Sequence, residues 1–325
     1  MTGLSDSFQR PIDYLRISVT DRCNLRCVYC MPTEGIDLLA HEDILSYEEI
    51  YRVATAAAEL GINKVRITGG EPLVRIGLSS LVGMLAQIEA IDDIALTTNG
   101  ILLARYADEL KAAGLRRVNI SLDTLKPDKF RLITRGGDLD DVLEGIEAAN
   151  TAGLNPIKIN AVVMAGSNDD ELLDFARKTV DEGWHVRFIE HMPFNSEMAS
   201  SSFVSVNEVR ERLASLGELE PCTFKGNGPA KYYRLPQAKG TIGFITPISE
   251  HFCFHCNRLR LTADGRLRPC LLSEQEIDLR QPLRQGISAE ELKKLIKRAV
   301  DSKPRKHRLA EGLVPKDRPF SQVGG

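Results

Sequence analysis

The chain has 325 residues, 43% of them hydrophobic and 27% charged, the balance of a chain that buries one large core or two domains in water. A net charge of −3 gives no whole-molecule field to draw in nucleic acid or an acidic membrane, and no apolar run approaches the ~20 residues of a membrane span. Residues 1–6 carry neither the charged nor the apolar part of an export signal, so the seven cysteines read as metal ligands in a reducing cytoplasm.

The first predicted element is a strand at 15–20. Directly after it comes Arg22-Cys23-Asn24-Leu25-Arg26-Cys27-Val28-Tyr29-Cys30. The spacing C-x3-C-x2-C puts three soft thiolates within reach of one iron–sulfur cluster. A [4Fe–4S] cluster has four irons and is normally held by four cysteines. Three ligands leave one iron open, and an open position marks a catalytic metal where a closed one marks a structural metal. A zinc knuckle would use paired C-x2-C or Cys/His spacings, and three cysteines alone do not close a tetrahedron.

A repeating unit follows. Ser46-Tyr47-Glu48-Glu49 is a capping box that opens a helix, and the helix stops at Gly61 before a strand at 65–68. A strand at 94–98 comes next. Helices at 102–113, 142–152 and 171–182 stop at Gly114, Gly153 and Gly183, before strands at 118–121, 157–163 and 185–189. Glycine suits the left-handed residue that closes a helix. Six strands alternating with helices predict a parallel sheet with right-handed crossovers, two units short of a complete (β/α)8 barrel.

The strands alternate in polarity, unlike strands covered on both faces. Arg16, Ser18 and Thr20 share one face against Ile17 and Val19. Arg66 and Thr68, then Asn119, Ser121 and Asp123, then Lys158 and Asn160 repeat the pattern. The apolar face must meet the helices, so the polar face lines a wet interior holding Arg16, Arg66 and Lys158. Buried cations need counter-charge. Either lumen carboxylates such as Asp123 and Glu190 supply it, or a strongly anionic ligand does, and a nucleotide is favoured. The strand ends carry Gly69-Gly70-Glu71-Pro72, Thr97-Thr98-Asn99-Gly100 and Glu190-His191-Met192, on the rim where barrel enzymes place their chemistry. The paired glycines let backbone approach a ligand closely.

From about residue 207 the rhythm changes to shorter β-like pieces, at 231–234 and 241–245. Cys253, Cys256 and Cys270 form C-x2-C-x13-C, a second set of three ligands with an open fourth position. Cys222 would close it as a fourth thiolate, and His251 or His255 would complete a zinc site instead. Cys222 is expected to be a small buried hydrophobe. Arg258 and Arg260 point the same way on a strand, which suits a phosphate-bearing substrate. A second capping box, Ser288-Ala289-Glu290-Glu291, opens a terminal helix. The basic stretch Lys303-Pro304-Arg305-Lys306-His307-Arg308 lacks interleaved aromatics for base stacking and reads as a solvated tail.

The first cysteine run matches the signature of the radical S-adenosylmethionine (SAM) enzymes. Together with Arg16-Ile17-Ser18-Val19-Thr20-Asp21-Arg22-Cys23, Thr68-Gly69-Gly70-Glu71-Pro72, Leu96-Thr97-Thr98-Asn99-Gly100, Ser121-Leu122-Asp123, Arg187-Phe188-Ile189-Glu190, the C-x2-C-x-R-x-R-L run at 253–261, Cys270 and the terminal Gly324-Gly325, the chain resembles the GTP 3′,8-cyclase family of molybdenum cofactor biosynthesis nearly end to end.

The resemblance implies an α/β fold: an incomplete (β/α)6 TIM-type barrel at 1–206 and a smaller α+β iron–sulfur domain at 207–325. It implies two [4Fe–4S] clusters, one on Cys23, Cys27 and Cys30 and one on Cys253, Cys256 and Cys270. Tyr29, Gly70, Ser121 and Met192 would meet SAM. Arg16, Arg66, Thr97, Lys158, Arg258, Leu259 (through its backbone) and Arg260 would meet GTP. A 5′-deoxyadenosyl radical then takes the C3′ hydrogen, and C3′ attacks guanine C8 to give 3′,8-cyclo-7,8-dihydro-GTP. The implied partners are an external electron donor and a downstream cyclic pyranopterin monophosphate synthase. A homodimer is allowed, nucleic acid and membrane are not expected, and the glycine tail is expected to reach the active site. The alternative is a radical SAM peptide maturase with an auxiliary cluster.

Overall fold

Parallel strands alternate with helices along the first two thirds of the chain, in a computed structural model that describes residues 3–192, 203–224, 228–311, 313, 315 and 318–323. Strands β1 (Tyr14–Ser18), β2 (Lys64–Thr68), β3 (Asp93–Thr98), β4 (Arg117–Ser121), β5 (Lys158–Val163) and β6 (His185–Glu190) lie side by side in sequence order, all parallel. Between them run α1 (Tyr47–Glu59), α2 (Leu78–Ala86), α3 (Leu103–Ala112), α4 (Pro127–Thr134), α5 (Leu139–Thr151) and α6 (Leu172–Asp181). The six expected strands are present, each within one or two residues of its predicted bounds. The capping box at Ser46 and Glu49 is formed, and Gly61 closes α1's last turn at φ +106°.

The remaining strands do not make a separate sheet. After α7 (Val206–Leu213) come β7 (Glu220–Pro221), β8 (Lys231–Arg234), β9 (Thr241–Ile245), β10 (Arg258–Leu261), β11 (Arg266–Arg268) and β12 (Ile277–Asp278), then α8 (Arg280–Arg284) and α9 (Ala289–Asp301). Strand β9 pairs parallel with β6, and β10 pairs parallel with β1. The six-strand expectation is thereby extended, because eight strands run parallel and the antiparallel pieces β7, β8, β11 and β12 sit outside them. The sheet order ends at β12 on one side and β7 on the other, so among the described residues the barrel is not closed. The helix-to-strand rhythm could not announce this, because β9 and β10 are reached through irregular chain.

Alternation sorts the two faces as the polarity pattern requires. Leu15, Ile17, Val65, Ile67, Val118, Ile120 and Ile159 are buried against Val53, Leu81, Leu110, Val142 and Phe175 of the helices. Each such side chain contributes roughly 1.5–3 kcal/mol on burial, so the outer face of the strands is where the fold is held. Helix α9 packs on α1 and its capping box at Ser288 and Glu291 is formed. No helix among the described residues is long and apolar enough to cross a membrane.

One expectation is corrected here. Of the basic stretch after α9, Arg305, Lys306 and Arg308 are exposed, but Lys303 is 3% exposed and the His307 ring lies 2.8 Å from the carbonyl of Pro247. The stretch is tied into the fold because its backbone and its lysine bond to the second cysteine region.

Candidate active site

The polar faces of the strands border a cavity of about 320 Å³ that opens to solvent. Its wall carries Cys23, Cys27 and Cys30 and also Cys253, Cys256 and Cys270. The three strand-end motifs read from the sequence reach it as well.

The first cysteine loop leaves β1 and folds back on itself, with Cys30 N–H donating to the Cys27 carbonyl at 2.9 Å. The backbone of α4 holds it from below: Arg26 N–H donates to Thr134 at 3.0 Å and Val28 N–H to Ile133 at 2.9 Å. The Gly69-Gly70 turn holds it from β2, with Gly70 N–H donating to Thr20 and Glu71 N–H to Arg22, both at 2.8 Å. A Cβ on Gly70 would collide with the Arg22 carbonyl. The glycine pair was expected to make room for a ligand; the close approach it permits is to the cysteine loop itself, although Gly70 also lines the cavity.

The field around this loop is acidic. Burial pushes the Cys23 thiol up to about 11 and also raises Cys27 and Cys30, each further opposed by the charge of neighbouring thiols. Asp123 is buried, accepts from Tyr29 Oη at 2.7 Å and Val162 N–H at 2.8 Å, and is pushed by burial up to about 6. Glu71 is pushed by burial up to about 7, although Asn99 N–H, Thr98 Oγ1 and Leu73 N–H all donate to it.

The second set is arranged differently. Cys256 precedes β10 and Cys270 follows β11, so antiparallel pairing brings both to one end of a hairpin. Burial would raise the Cys256 thiol, but the Arg258 guanidinium and the Lys303 ammonium outweigh it and bring the thiol down to about 6. Cys222 is half-buried rather than buried as expected, and it lies outside the cavity lining. His255 is exposed, and among the described residues no three His, Cys, Asp or Glu side chains converge on a point that one ion would fill. The zinc alternative thus has no assembled site among these residues.

Cations stand on the lumen wall among apolar residues such as Val162, Ile189 and Ile245. Arg16, Arg66, Arg258 and Arg260 line the cavity. Arg66 donates through Nε to Tyr14 Oη and through Nη1 to Thr97 Oγ1 at 3.4 Å. Burial, followed by the charge of Arg258, brings Arg260 down to about 9. Lys158 stands just outside the lining, its Nζ 4.7 Å from the Phe224 ring centre. Burial and then Arg187, Arg117 and Arg66 bring it down to about 6. The two carboxylates considered as their neutralisers are occupied elsewhere: Asp123 as above, and Glu190 by Ile248 and Ser249 N–H groups, each at 3.0 Å.

Of the other expected residues, Tyr29, Thr97, Ser121 and Met192 line the cavity. Leu259 is fully buried in the core face of β10, paired in register with Leu15. Gly324 and Gly325 lie outside the described residues, but Ser321 lines the cavity and the Val323 carbonyl is 3.4 Å from Arg260 Nη1.

Tyr14 and Arg187 are among the lining residues to which the sequence assigned no role, and Lys303 and His307 of the basic stretch line the cavity as well. Tyr14 and Arg187 each stand two positions along a strand from a polar lumen residue or position, Arg16 and His185, so the same alternation would have found them. Arg187 Nε and Nη2 are buried without a hydrogen-bond partner among the described residues, as are Asn119 Oδ1 and Asn160 Oδ1. Buried polar atoms left open around one cavity fit a polar occupant.

Residues 17–179 match the description Radical SAM superfamily, and residues 184–309 match Molybdenum Cofactor Synthesis C. The GTP 3′,8-cyclase of Pelotomaculum thermopropionicum is 54% identical over 99% of this chain and 100% of its own length. That of Heliobacterium modesticaldum is 53% identical, over 98% of this chain and 99% of its own length. Among solved structures the chain is similar to Streptococcus suis SuiB bound to S-adenosylmethionine, with a TM-score of 0.62 and 14% identity over 83% of this chain. The chain spans 64% of the length of SuiB, and at that identity the likeness shows the barrel fold alone. Relatives identical at more than half of their positions along nearly the whole chain decide the matter: this chain belongs to the GTP 3′,8-cyclase family of radical SAM enzymes.

Proposed function

We propose that the chain catalyses the reaction for which these relatives are named, the radical SAM cyclisation of GTP to 3′,8-cyclo-7,8-dihydro-GTP, the first step of molybdenum cofactor biosynthesis. The observation that carries it is one cavity lined by two three-cysteine sets and four arginines besides Arg187.

Cys23, Cys27 and Cys30 would hold the family's [4Fe–4S] cluster, and Cys253, Cys256 and Cys270 a second one. The donor chemistry fits, since thiolates are what iron–sulfur clusters take, and the thiols of each set are close enough to raise one another's pKa without meeting at a single-ion point. Bound there, the first cluster and SAM would supply the 5′-deoxyadenosyl radical.

The chain's own residues do the rest. Tyr29, Gly70, Ser121 and Met192 line the part of the wall offered to SAM, whose sulfonium suits the nearby carboxyls of Glu71 and Asp123. Arg16, Arg66, Arg187, Arg258 and Arg260 face the triphosphate and sugar, with Thr97 beside Arg66 and Lys158 behind them. Charge-assisted contacts from such guanidiniums fix an anion's position as well as its affinity. A GTP so held keeps its C3′ and C8 in one geometry. Residues 1–206 form the barrel domain and 207–325 the second cluster domain on this reading. It further calls for an external one-electron donor, a downstream synthase and a reducing cytoplasm, and allows a homodimer.

The test is an anaerobic reaction of reconstituted, reduced protein with SAM and GTP, followed by mass spectrometry. 5′-Deoxyadenosine with a GTP isomer of unchanged mass is the expected result. Deoxyadenosine without GTP conversion would overturn the substrate and bring the peptide maturase reading forward.

A further inference from the structure

The second cysteine set is spread over eighteen positions and two stretches of chain, and two buried cations that no lumen argument used tie those stretches together. Lys303 Nζ donates to the Arg258 carbonyl at 2.7 Å and to the Pro269 carbonyl at 2.6 Å. These are two residues past Cys256 and one before Cys270. Arg10 Nη1 donates to the carbonyl of Cys253 at 2.7 Å. The same guanidinium donates to Pro304 at 2.8 Å and Arg305 at 3.0 Å, the two residues after Lys303. The cysteine segments and the two cations therefore close into one hydrogen-bonded ring. Asp6 anchors it by accepting from Arg10 Nε and from the backbone N–H groups of Phe8 and Arg10 at 2.9 and 3.0 Å. Asp6, Arg10 and Lys303 are 3, 5 and 3% exposed.

From this ring we infer that Lys303 and Arg10 are positioning residues of the second cysteine set, both fixing the spacing of its three thiols and Lys303 supplying positive charge that its cluster needs. The inference rests on the reading of Cys253, Cys256 and Cys270 as ligands of a [4Fe–4S] cluster. A cluster on three thiolates is an anion, and burying it costs free energy unless cations stand beside it. Lys303 lines the cavity and so stands there. Net charge and surrounding hydrogen-bond donors are also the protein's means of setting a cluster's reduction potential. Lys303 is suited to both tasks: its bonds go to backbone carbonyls, which leaves its charge uncancelled by any carboxylate in those bonds. The N-terminal turn at Asp6–Arg10 and the chain after α9 are thus parts of one ligand frame, although neither carries a ligand.

The test compares reconstituted wild-type protein with Lys303→Met and Lys303→Gln by iron content and by potentiometric electron paramagnetic resonance. The SAM-dependent change in the first cluster's signal serves as the internal check on folding. Wild type is expected to hold about eight irons, and Lys303→Met about four, keeping the first cluster. Lys303→Gln retains donors but no charge; it is expected to hold about eight irons with the second cluster's potential lowered and the first unchanged. Should Lys303→Met fail to fold, the potential of Lys303→Gln still decides. Full iron content with an unchanged potential in these variants overturns the positioning role while leaving the second cluster in place. A wild type with about four irons, unaffected by Cys270→Ala, overturns the second cluster and this inference with it.

Discussion

The first cysteine set occupies eight consecutive positions in one loop, and its neighbours of opposite interest are carboxyls, Glu71 and Asp123. The second set is gathered from two segments, the turn carrying Cys253 and Cys256 and the chain at Cys270, and surrounded by Arg10, Arg258 and Lys303. The consequence is visible at Cys256, which falls to about 6 because nearby cations overcome burial, whereas burial raises Cys253 beside it and leaves Cys23 at about 11. Ligand identity is the same in both, so what separates them is the field. On the proposed reading an acidic neighbourhood suits a sulfonium-bearing cofactor, and a basic one suits both an anionic cluster and a triphosphate. Three cysteines make a cluster site, and the charges around them decide what else may bind there.

The largest effects should come from removing one thiol from each set. Cys27→Ala is expected to abolish 5′-deoxyadenosine formation altogether. Cys256→Ala is expected to keep SAM cleavage and lose the cyclised product. Chromatography of both products in one anaerobic assay checks the pair. Deoxyadenosine from Cys27→Ala, or its loss from Cys256→Ala, would break the division of labour between the two sets.

The arginines come next. Arg258→Ala and Arg260→Ala each remove a charge-assisted contact of about 1.5–3 kcal/mol, so GTP affinity should fall roughly ten- to hundredfold while SAM binding is retained. Calorimetric titration with each ligand measures this. Equal losses for GTP and SAM would mean that the basic field is shared rather than local to the second set.

A smaller effect concerns pH. Lys158 has a folded pKa brought down to about 6, so above that pH it is neutral in the free protein. A bound triphosphate favours the ammonium, and binding must then draw a proton from solution. GTP affinity should therefore fall as the pH rises above about 6, by at most about tenfold per unit for one proton. Lys158→Met should flatten the profile, and calorimetry in two buffers of different ionisation enthalpy counts the proton. The sign for stability is the opposite. Between about 6 and the ordinary 10.5 the unfolded chain holds the proton and the fold does not, so this group makes the ligand-free fold more stable as pH rises.

Much of the barrel was legible because its signals are local. A capping box, a glycine at a helix end and a two-residue alternation act over a few positions, and they gave β1 to β6 and the polar lumen nearly residue by residue. The first cysteine loop was legible for the same reason. What escaped depends on long-range pairing. The addition of β9 beside β6 and β10 beside β1 joins strands over 50 and over 240 residues apart, and no periodicity carries that. The burial of Lys303 escaped because its partners are backbone carbonyls of Arg258 and Pro269, which have no sequence signature. Arg187 stood in a motif of the resemblance without a role, although alternation with Val186 and Phe188 on the core face would have turned it to the lumen.

The smallest expected effect tests where the second set ends. Cys222 follows β7, its N–H donating to the Tyr232 carbonyl at 3.0 Å, on the hairpin at the far edge of the sheet from β10–β12. A cluster using it would have to span from that hairpin to the β10–β11 end, and the cavity wall carrying the other six cysteines does not include it. A half-buried thiol outside the wall contributes packing alone, and a serine of similar shape replaces most of it. Cys222→Ser should leave iron content and both cluster potentials unchanged, with a stability change of about 1 kcal/mol or less. A loss of about four irons per chain would make Cys222 a ligand. It would also close the second set with a fourth thiolate, taking away the open iron on which the contrast between a substrate-binding and a structural cluster depends.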